Sequence, residues 1–114
     1  MTPTLAWLLL LIAGALEIGW ALCFKLAETP AGLRWGWVGV AALCLVASIA
    51  LLFVAQRTIP IGTAYAVWTG IGSVGAAAVG ILLFGEPASA ARVGCVGLIV
   101  AGVVGLKLLA PAGA

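Results

Sequence analysis

Residues 5–24 form an almost entirely apolar run whose only charged member is Glu17. As an α-helix, a run of this length extends about 30 Å, the thickness of the hydrocarbon core of a bilayer. A charged side chain buried roughly 12 to 18 Å from the edges of that core costs at least ~2.5–3.5 kcal/mol, so such residues face protein or a water-filled cavity and serve a function. Glu17 is therefore the main candidate functional residue. The alternative is a structural carboxyl, protonated or paired with a basic residue of a neighbouring helix.

The composition of the chain excludes a water-soluble globular protein. Of its 114 residues 66% are hydrophobic and only 7% are charged, whereas soluble domains contain about 25% charged residues. The net charge of +2 is too small and too scattered to indicate nucleic-acid binding. We expect residues 5–24 to be a membrane span and not a signal peptide, because no basic residue precedes the run and Glu17 interrupts it.

The cysteines and the lack of histidine limit the chemistry that the chain can support. Cys23, Cys44 and Cys95 each lie in an apolar run, and their spacing matches no metal site. We expect small buried hydrophobic residues, with no disulfide, no metal site, no cofactor and no enzymatic activity. Because the chain has no histidine, proton chemistry near neutral pH would depend on a carboxylate with a shifted pKa.

Three polar segments divide the chain into four predicted membrane-spanning helices. Each segment combines charged residues with proline or glycine, which end and restart helices. The predicted spans are residues 5–24, 35–55, 61–84 and 93–109, followed by a short tail. Because the connections are short, successive helices must be antiparallel. The prediction is an all-α membrane protein with one four-helix transmembrane domain over residues 1–114.

The basic residues of the loops favour neither orientation in the membrane. Lys and Arg normally mark the cytoplasmic side. The first and third loops share one side and carry Lys25, Arg34 and Arg92, while the other side carries Arg57 and Lys107. With the free amino group added to the smaller set, three against two gives no usable bias. Insertion in both orientations would permit an antiparallel dimer.

Residues near the span ends are expected at the membrane boundary. Trp7, Trp35 and Trp37 lie there, where indole rings meet the lipid headgroups. Arg57 and Lys107 have a plain interpretation as cations at helix ends whose long side chains reach the headgroups.

Glycines indicate where helices pack closely and where one could bend. In the fourth span Gly97, Ala101 and Gly105 repeat every four residues, a pattern that lets two helix backbones approach. The alternative is a chance ridge in a glycine-rich helix. The third span has three glycines just after Trp68, namely Gly70, Gly72 and Gly75. This is the most bendable part of any span, so we predict a hinge there.

Polar side chains lie deep in three of the four spans. Trp20, Tyr65 and Trp68 are several residues inside their spans, where their N–H and O–H groups need partners, and Ser48 is the only polar residue inside the second span. If the helices converge, Glu17 gains hydrogen-bond donors from these four residues. Such a pocket suits a flat, weakly hydrated cation, which can give a carboxylate two parallel N–H bonds and present its face to aromatic rings.

An antiparallel dimer would bring two copies of Glu17 near the membrane midplane. Burial and a nearby like charge both favour the protonated form of a carboxyl group. The pair would hold protons at ordinary pH and release them when a cation arrives. Competition between a proton and a cation for one carboxylate predicts antiport.

At these residues the sequence resembles the small multidrug resistance family of bacterial inner-membrane exporters. The resemblance covers essentially the whole chain and is most specific in residues 60–72, PIGTAYAVWTGIG. That segment, with Trp20 three residues after Glu17, is similar to the guanidinium-exporter subtype. In the subtype that exports polyaromatic cations, a smaller residue generally occupies the position of Trp20.

The resemblance implies a multi-pass inner-membrane protein, surrounded by lipid, that exports guanidinium-like cations in exchange for protons as an antiparallel, dual-topology homodimer. Glu17 would bind proton and substrate in turn, and the fourth span would form the dimer. The implied pocket residues are Gly14, which would give the substrate room, Trp20, Ser48, Tyr65 and Trp68.

Two alternatives stay open. One is an exporter of quaternary ammonium or aromatic cations with the same fold, against which the donor-rich frame of Trp20 and Ser48 argues, because quaternary ammonium donates no hydrogen bond. The other is a partner subunit that works only in a heterodimer. The balanced loop charges argue against it, because obligate partners tend to have opposite charge biases.

Overall fold

Four long helices account for most of residues 1–110, the part of the chain that the computed structural model describes. They are α1 (Pro3–Ala27), α2 (Trp35–Ala55), α3 (Ile61–Phe84) and α4 (Ala90–Leu108). Each is long and apolar enough to cross a membrane. This confirms the predicted fold class of a four-helix membrane protein. The predicted short tail falls, from residue 111 onward, outside the described residues.

The first and last helices begin before the spans that hydropathy predicts, because polar residues cap them. The side-chain oxygen of Thr2 accepts the amide of Leu5 at 3.2 Å, and Pro3 occupies the first turn, where no amide is needed. At the start of α4 the hydroxyl of Ser89 accepts the amide of Arg92 at 3.3 Å. Capping turns contain polar residues, so an apolar run marks only the central part of each helix.

A short hairpin joins α1 to α2. Strands β1 (Glu28–Thr29) and β2 (Gly32–Leu33) pair antiparallel. The Thr29 hydroxyl donates to the Gly32 carbonyl at 2.6 Å, and Gly32 has a φ of 127°, a conformation that favours glycine. This turn makes α1 and α2 antiparallel neighbours, as the short connection predicts.

Helix α1 is the central element, packed along both α2 and α3, whereas α4 packs mainly on α3. The buried core gathers around the first half of α1, where Trp7 and Leu10 meet Ile59 and Val67. The molecule is 17 Å across its thinnest direction, which holds two layers of helices at the usual spacing of roughly 8–10 Å but not three. One copy of the chain is therefore too thin to enclose a pathway.

Two expectations about single side chains differ from the structure. Trp7 is only 8% exposed and packs in the core, where the ammonium of Lys107 lies 4.7 Å from its ring centroid. It is thus a packing residue and not a headgroup anchor. Of the cysteines expected to be buried, Cys23 is buried, Cys44 is half-buried and Cys95 is exposed. Cys95 lies on α4, which has few neighbours within the protomer.

Candidate functional site

Glu17 lies midway along α1 and is partly buried against α3. The indole N–H of Trp20 donates to its Oε1, because residues three apart share a helix face. On the other side is Gly72, where an added Cβ would lie 3.0 Å from the Cβ of Glu17 and 3.4 Å from its Oε2. One carboxylate oxygen is therefore hydrogen-bonded, while the other lies against the backbone of α3, which comes this close because position 72 has no side chain.

Phe24 holds the indole of Trp20 from the next turn of α1. The two rings meet edge to face, with centroids 5.3 Å apart and planes at 81°. This arrangement stabilises aromatic pairs and restricts the ring of Trp20. The sequence prediction missed Phe24, although its spacing of four residues from Trp20 is the signal that places both on one face.

The buried hydroxyl of Ser48 links α1, α2 and α3. It is fully buried on α2, donates to the carbonyl of Ala13 at 2.6 Å and accepts the indole N–H of Trp68 at 2.8 Å. In an α-helix the carbonyl of Ala13 also pairs with the amide of Glu17. The hydroxyl of α2 and the indole of α3 thus brace the turn of α1 that positions the acid.

A single copy of the chain does not bring all four predicted donors to Glu17, and their convergence on the acid stays a prediction. Among the described residues, only Trp20 donates to the carboxylate. The hydroxyl of Ser48 and the indole of Trp68 satisfy each other and the α1 backbone instead. Tyr65 is 56% exposed and packs beside Trp68, with ring centroids 5.5 Å apart. A buried hydroxyl takes the nearest strong acceptor, and here that acceptor is a main-chain carbonyl.

Gly14 does not leave room for a substrate in this arrangement of helices. An added Cβ would lie 2.7 Å from Cγ2 of Ile71, so the side chain of Ile71 on α3 fills the space. Gly14 therefore lets α1 and α3 pack closely. Space for a substrate at this position would require the two helices to separate.

The three glycines of the predicted hinge are all contact points. Gly70 faces Val103 of α4, Gly72 faces Glu17, and Gly75 receives the side chain of Ile18. Helix α3 continues unbroken through them. The hinge stays a prediction, and in this conformation the same glycines bring α3 close to its neighbours.

The predicted dimer ridge lies on an open face of α4. Gly97 and Ala101 are exposed and Gly105 is half-buried. In the described part of the chain, nothing lies within 4 Å of a Cβ added at Gly97 or Gly105. The protomer itself therefore does not use this small-residue face.

Comparison with known proteins gives a consistent result. The sequence model of the family described as Small Multidrug Resistance protein matches residues 5–99. The chain is 55% identical over 104 residues to a guanidinium exporter of Citrobacter freundii, which covers 91% of this chain and 97% of that protein. A guanidinium exporter of Salmonella typhimurium strain LT2 is 53% identical over 106 residues, or 93% and 99% of the two chains. One of Yersinia pseudotuberculosis is 49% identical over 104 residues, or 91% and 98%.

Proposed function

We propose that this chain, which belongs to the small multidrug resistance family, exports guanidinium and small guanidinyl cations in exchange for protons. Membership of an exporter family, together with four helices able to span a bilayer, makes it a multi-pass protein of the inner membrane and a transporter, not an enzyme. The observation that carries the proposal is Glu17, whose carboxylate accepts the indole N–H of Trp20 beside the bare backbone of Gly72.

The geometry at Glu17 favours a planar cation with N–H donors. Oε2 lies against Gly72 of α3, so a substrate would reach it, as at Gly14, when α1 and α3 separate. Guanidinium can place two N–H groups on one carboxylate and present its weakly hydrated face to an indole ring. A tetraalkylammonium has no N–H group, needs more volume and would leave the carboxylate incompletely satisfied.

The same carboxylate supports exchange with protons. Glu17 is the only acid within a helix of the described chain, because Glu28 and Glu86 lie in the connections. A carboxylate inside the bilayer is costly unless it is neutralised, and either a proton or a cation can neutralise it. A proton and a guanidinium compete for one site, so each can leave only as the other arrives. This competition couples the outward movement of the cation to the inward movement of the proton.

The transporting unit in this proposal is an antiparallel homodimer. One protomer leaves Tyr65 and the α4 ridge exposed and is too thin to surround a substrate. A second copy packed on the Gly97, Ala101 and Gly105 face would bury that ridge. In an antiparallel dimer both copies of Glu17 would lie near the membrane midplane. The three-to-two distribution of basic residues supports insertion in both orientations.

Exchange in liposomes tests the function. With the membrane potential clamped, adding external guanidinium to proteoliposomes should raise the internal pH, and protein-free liposomes should not respond. Tetramethylammonium should give little or no change. A larger response to tetramethylammonium would favour the quaternary-ammonium alternative. Failure of the purified single chain to exchange either cation would favour a heterodimeric partner subunit.

Labelling of the carboxyl terminus tests the dimer. A tag there should be found on both sides of the membrane in comparable amounts, and one added Lys in either set of loops should bias the distribution. A tag found almost entirely on one side would overturn the antiparallel homodimer and leave the exchange chemistry of Glu17 as a separate question.

A further inference from the structure

The turn between α3 and α4 places a second carboxylate, that of Glu86, against α3. Helix α3 ends at Phe84 and is capped by Gly85, whose φ of 66° lies in the left-handed region that glycine adopts readily. The amides of Gly85 and Glu86 both donate to the carbonyl of Gly80, the latter at 3.1 Å. These bonds fold the chain back, so Glu86 lies against the helix that it follows.

The carboxylate of Glu86 rests on a site that only glycine allows. A Cβ added at Gly80 would lie 2.6 Å from Cδ of Glu86 and 2.7 Å from its Oε1. Gly80 itself is buried. Any side chain at position 80 would displace the carboxylate, so the position of Glu86 is built by the backbone of α3.

This carboxylate lines one end of a groove between α1 and α3. The groove has a volume of about 200 Å³, with Glu86 and Lys25 at one end and Ile18, the neighbour of Glu17, at the other. The ammonium of Lys25 lies 3.5 Å from Oε2 of Glu28 and so already has a counter-charge in the first loop. Among the residues that line this groove only Glu86 is acidic, and the groove ends at the residue next to Glu17 without including the acid itself.

Glu86 already holds a guanidinium group. Nη2 of Arg92, in the first turn of α4, lies 3.6 Å from Oε1 of Glu86, and both side chains are about half exposed. Half-exposed ion pairs are weak and exchange readily with ions in solution. The group on Arg92 is the same chemical group as the substrate proposed above.

We propose that Glu86 is a second, weaker guanidinium-binding site, at which the substrate displaces Arg92 before it reaches Glu17. This inference rests on the proposed function and adds a residue to its substrate path. In the antiparallel dimer one Glu86 would lie at each face of the membrane, so cations would meet such a site on entry and on exit.

Opposite effects of Glu86→Gln and Arg92→Gln test this proposal. At low ionic strength, Glu86→Gln should raise the KM for guanidinium about two- to fivefold with little change in maximum rate, as expected for one exposed charge pair. Arg92→Gln removes the internal competitor and should lower KM. Glu28→Gln is the matched control, because it removes a similarly exposed acid from the same end of the molecule, outside the groove.

A purely structural ion pair would give a different pattern. Both substitutions break the Glu86–Arg92 pair, so a structural role requires them to shift KM and thermal stability in the same direction. That result, or an unchanged KM in Glu86→Gln, overturns the second site. If Glu86→Gln fails to fold, Arg92→Gln decides alone, because an unchanged or raised KM contradicts the proposal. Parent protein that moves no guanidinium would instead refute the proposed function itself.

Discussion

The contact between α1 and α3 and the exposed face of α4 use glycine in opposite ways. In the first, Gly14, Gly72 and Gly75 each receive a side chain of the facing helix. In the second, Gly97 and Gly105 meet nothing in the described protomer. The same residue type thus brings helices together inside one region and leaves space in another. The difference separates the part of the protein that holds Glu17 from the part that is free to receive a second copy.

Replacing a glycine by a larger residue should affect protein stability very differently in the two regions. Gly75→Leu forces a side chain into Ile18, and overpacking of a tight contact typically costs about 1–3 kcal/mol or more. We expect loss of folded protein, measured as yield and thermal unfolding in detergent. Gly97→Leu on the open face should keep helix content normal by circular dichroism and reduce cross-linked dimer instead. Equal loss of folded protein in both variants would contradict the difference between the α1–α3 contact and the open face of α4.

The buried hydroxyl of Ser48 gives the next largest effect. Ser48→Ala leaves the indole N–H of Trp68 without its acceptor and removes the bond to Ala13, at a cost of about 1–3 kcal/mol in the free energy of unfolding. Ser73→Ala is the matched control, because that exposed hydroxyl bonds only to Thr69 of its own helix. Denaturant titration of both variants measures the difference. An equal, small loss in both would mean that Ser48 does not brace the site.

We expect Trp20 to decide which cation the site accepts. Trp20→Leu removes both the N–H bond to Glu17 and the ring, and we expect guanidinium binding to weaken by about 1–2 kcal/mol. Trp20→Phe keeps a ring and isolates the contribution of the N–H. The enlarged space in Trp20→Leu should admit bulkier cations. Competition binding with guanidinium and tetramethylammonium checks this, and a parent that prefers tetramethylammonium would contradict our use of Trp20 as the discriminating residue.

The smallest effect on stability is expected at the contact between the end of α4 and the start of α1. The ammonium of Lys107 lies over the ring of Trp7 and ties the end of α4 to the start of α1. Lys107→Met should lower the free energy of unfolding by about 0.5–1 kcal/mol. Arg57→Met is the comparison, because Arg57 lies 5.4 Å from the ring of Phe53, four residues away on its own chain segment, and fastens no second helix. If Arg57→Met lowers the free energy of unfolding as much as Lys107→Met does, the contact between Lys107 and Trp7 contributes nothing specific.

The features that the sequence predicted correctly are those that the surrounding bilayer imposes. Apolar runs of membrane length specify the four helices, and the cost of burying a charge singles out Glu17. The spacing of three residues then places Trp20 beside it on one face, where the structure has their hydrogen bond. Each of these follows from one segment and the bilayer, without knowledge of the neighbouring helices.

The features that sequence missed depend on how the helices are rotated about their axes. The positions of Ser48 and Trp68 along their helices predict correctly that they lie at a similar depth. They do not reveal that the hydroxyl of Ser48 bonds to the Ala13 carbonyl and not to the acid. Gly14 was expected to leave space, yet Ile71 of another helix fills it. A pattern within one helix carries no information about which side chain of a partner it receives.

The most direct test of a single carboxylate shared by proton and substrate is proton release on binding. Guanidinium is added to detergent-solubilised protein in weakly buffered solution, and the pH change is followed for the parent, Glu17→Gln and Glu28→Gln. We predict that the parent and Glu28→Gln release protons on adding guanidinium and that Glu17→Gln, although still folded, releases none. Undiminished release from Glu17→Gln would move the coupling site elsewhere and contradict the exchange mechanism.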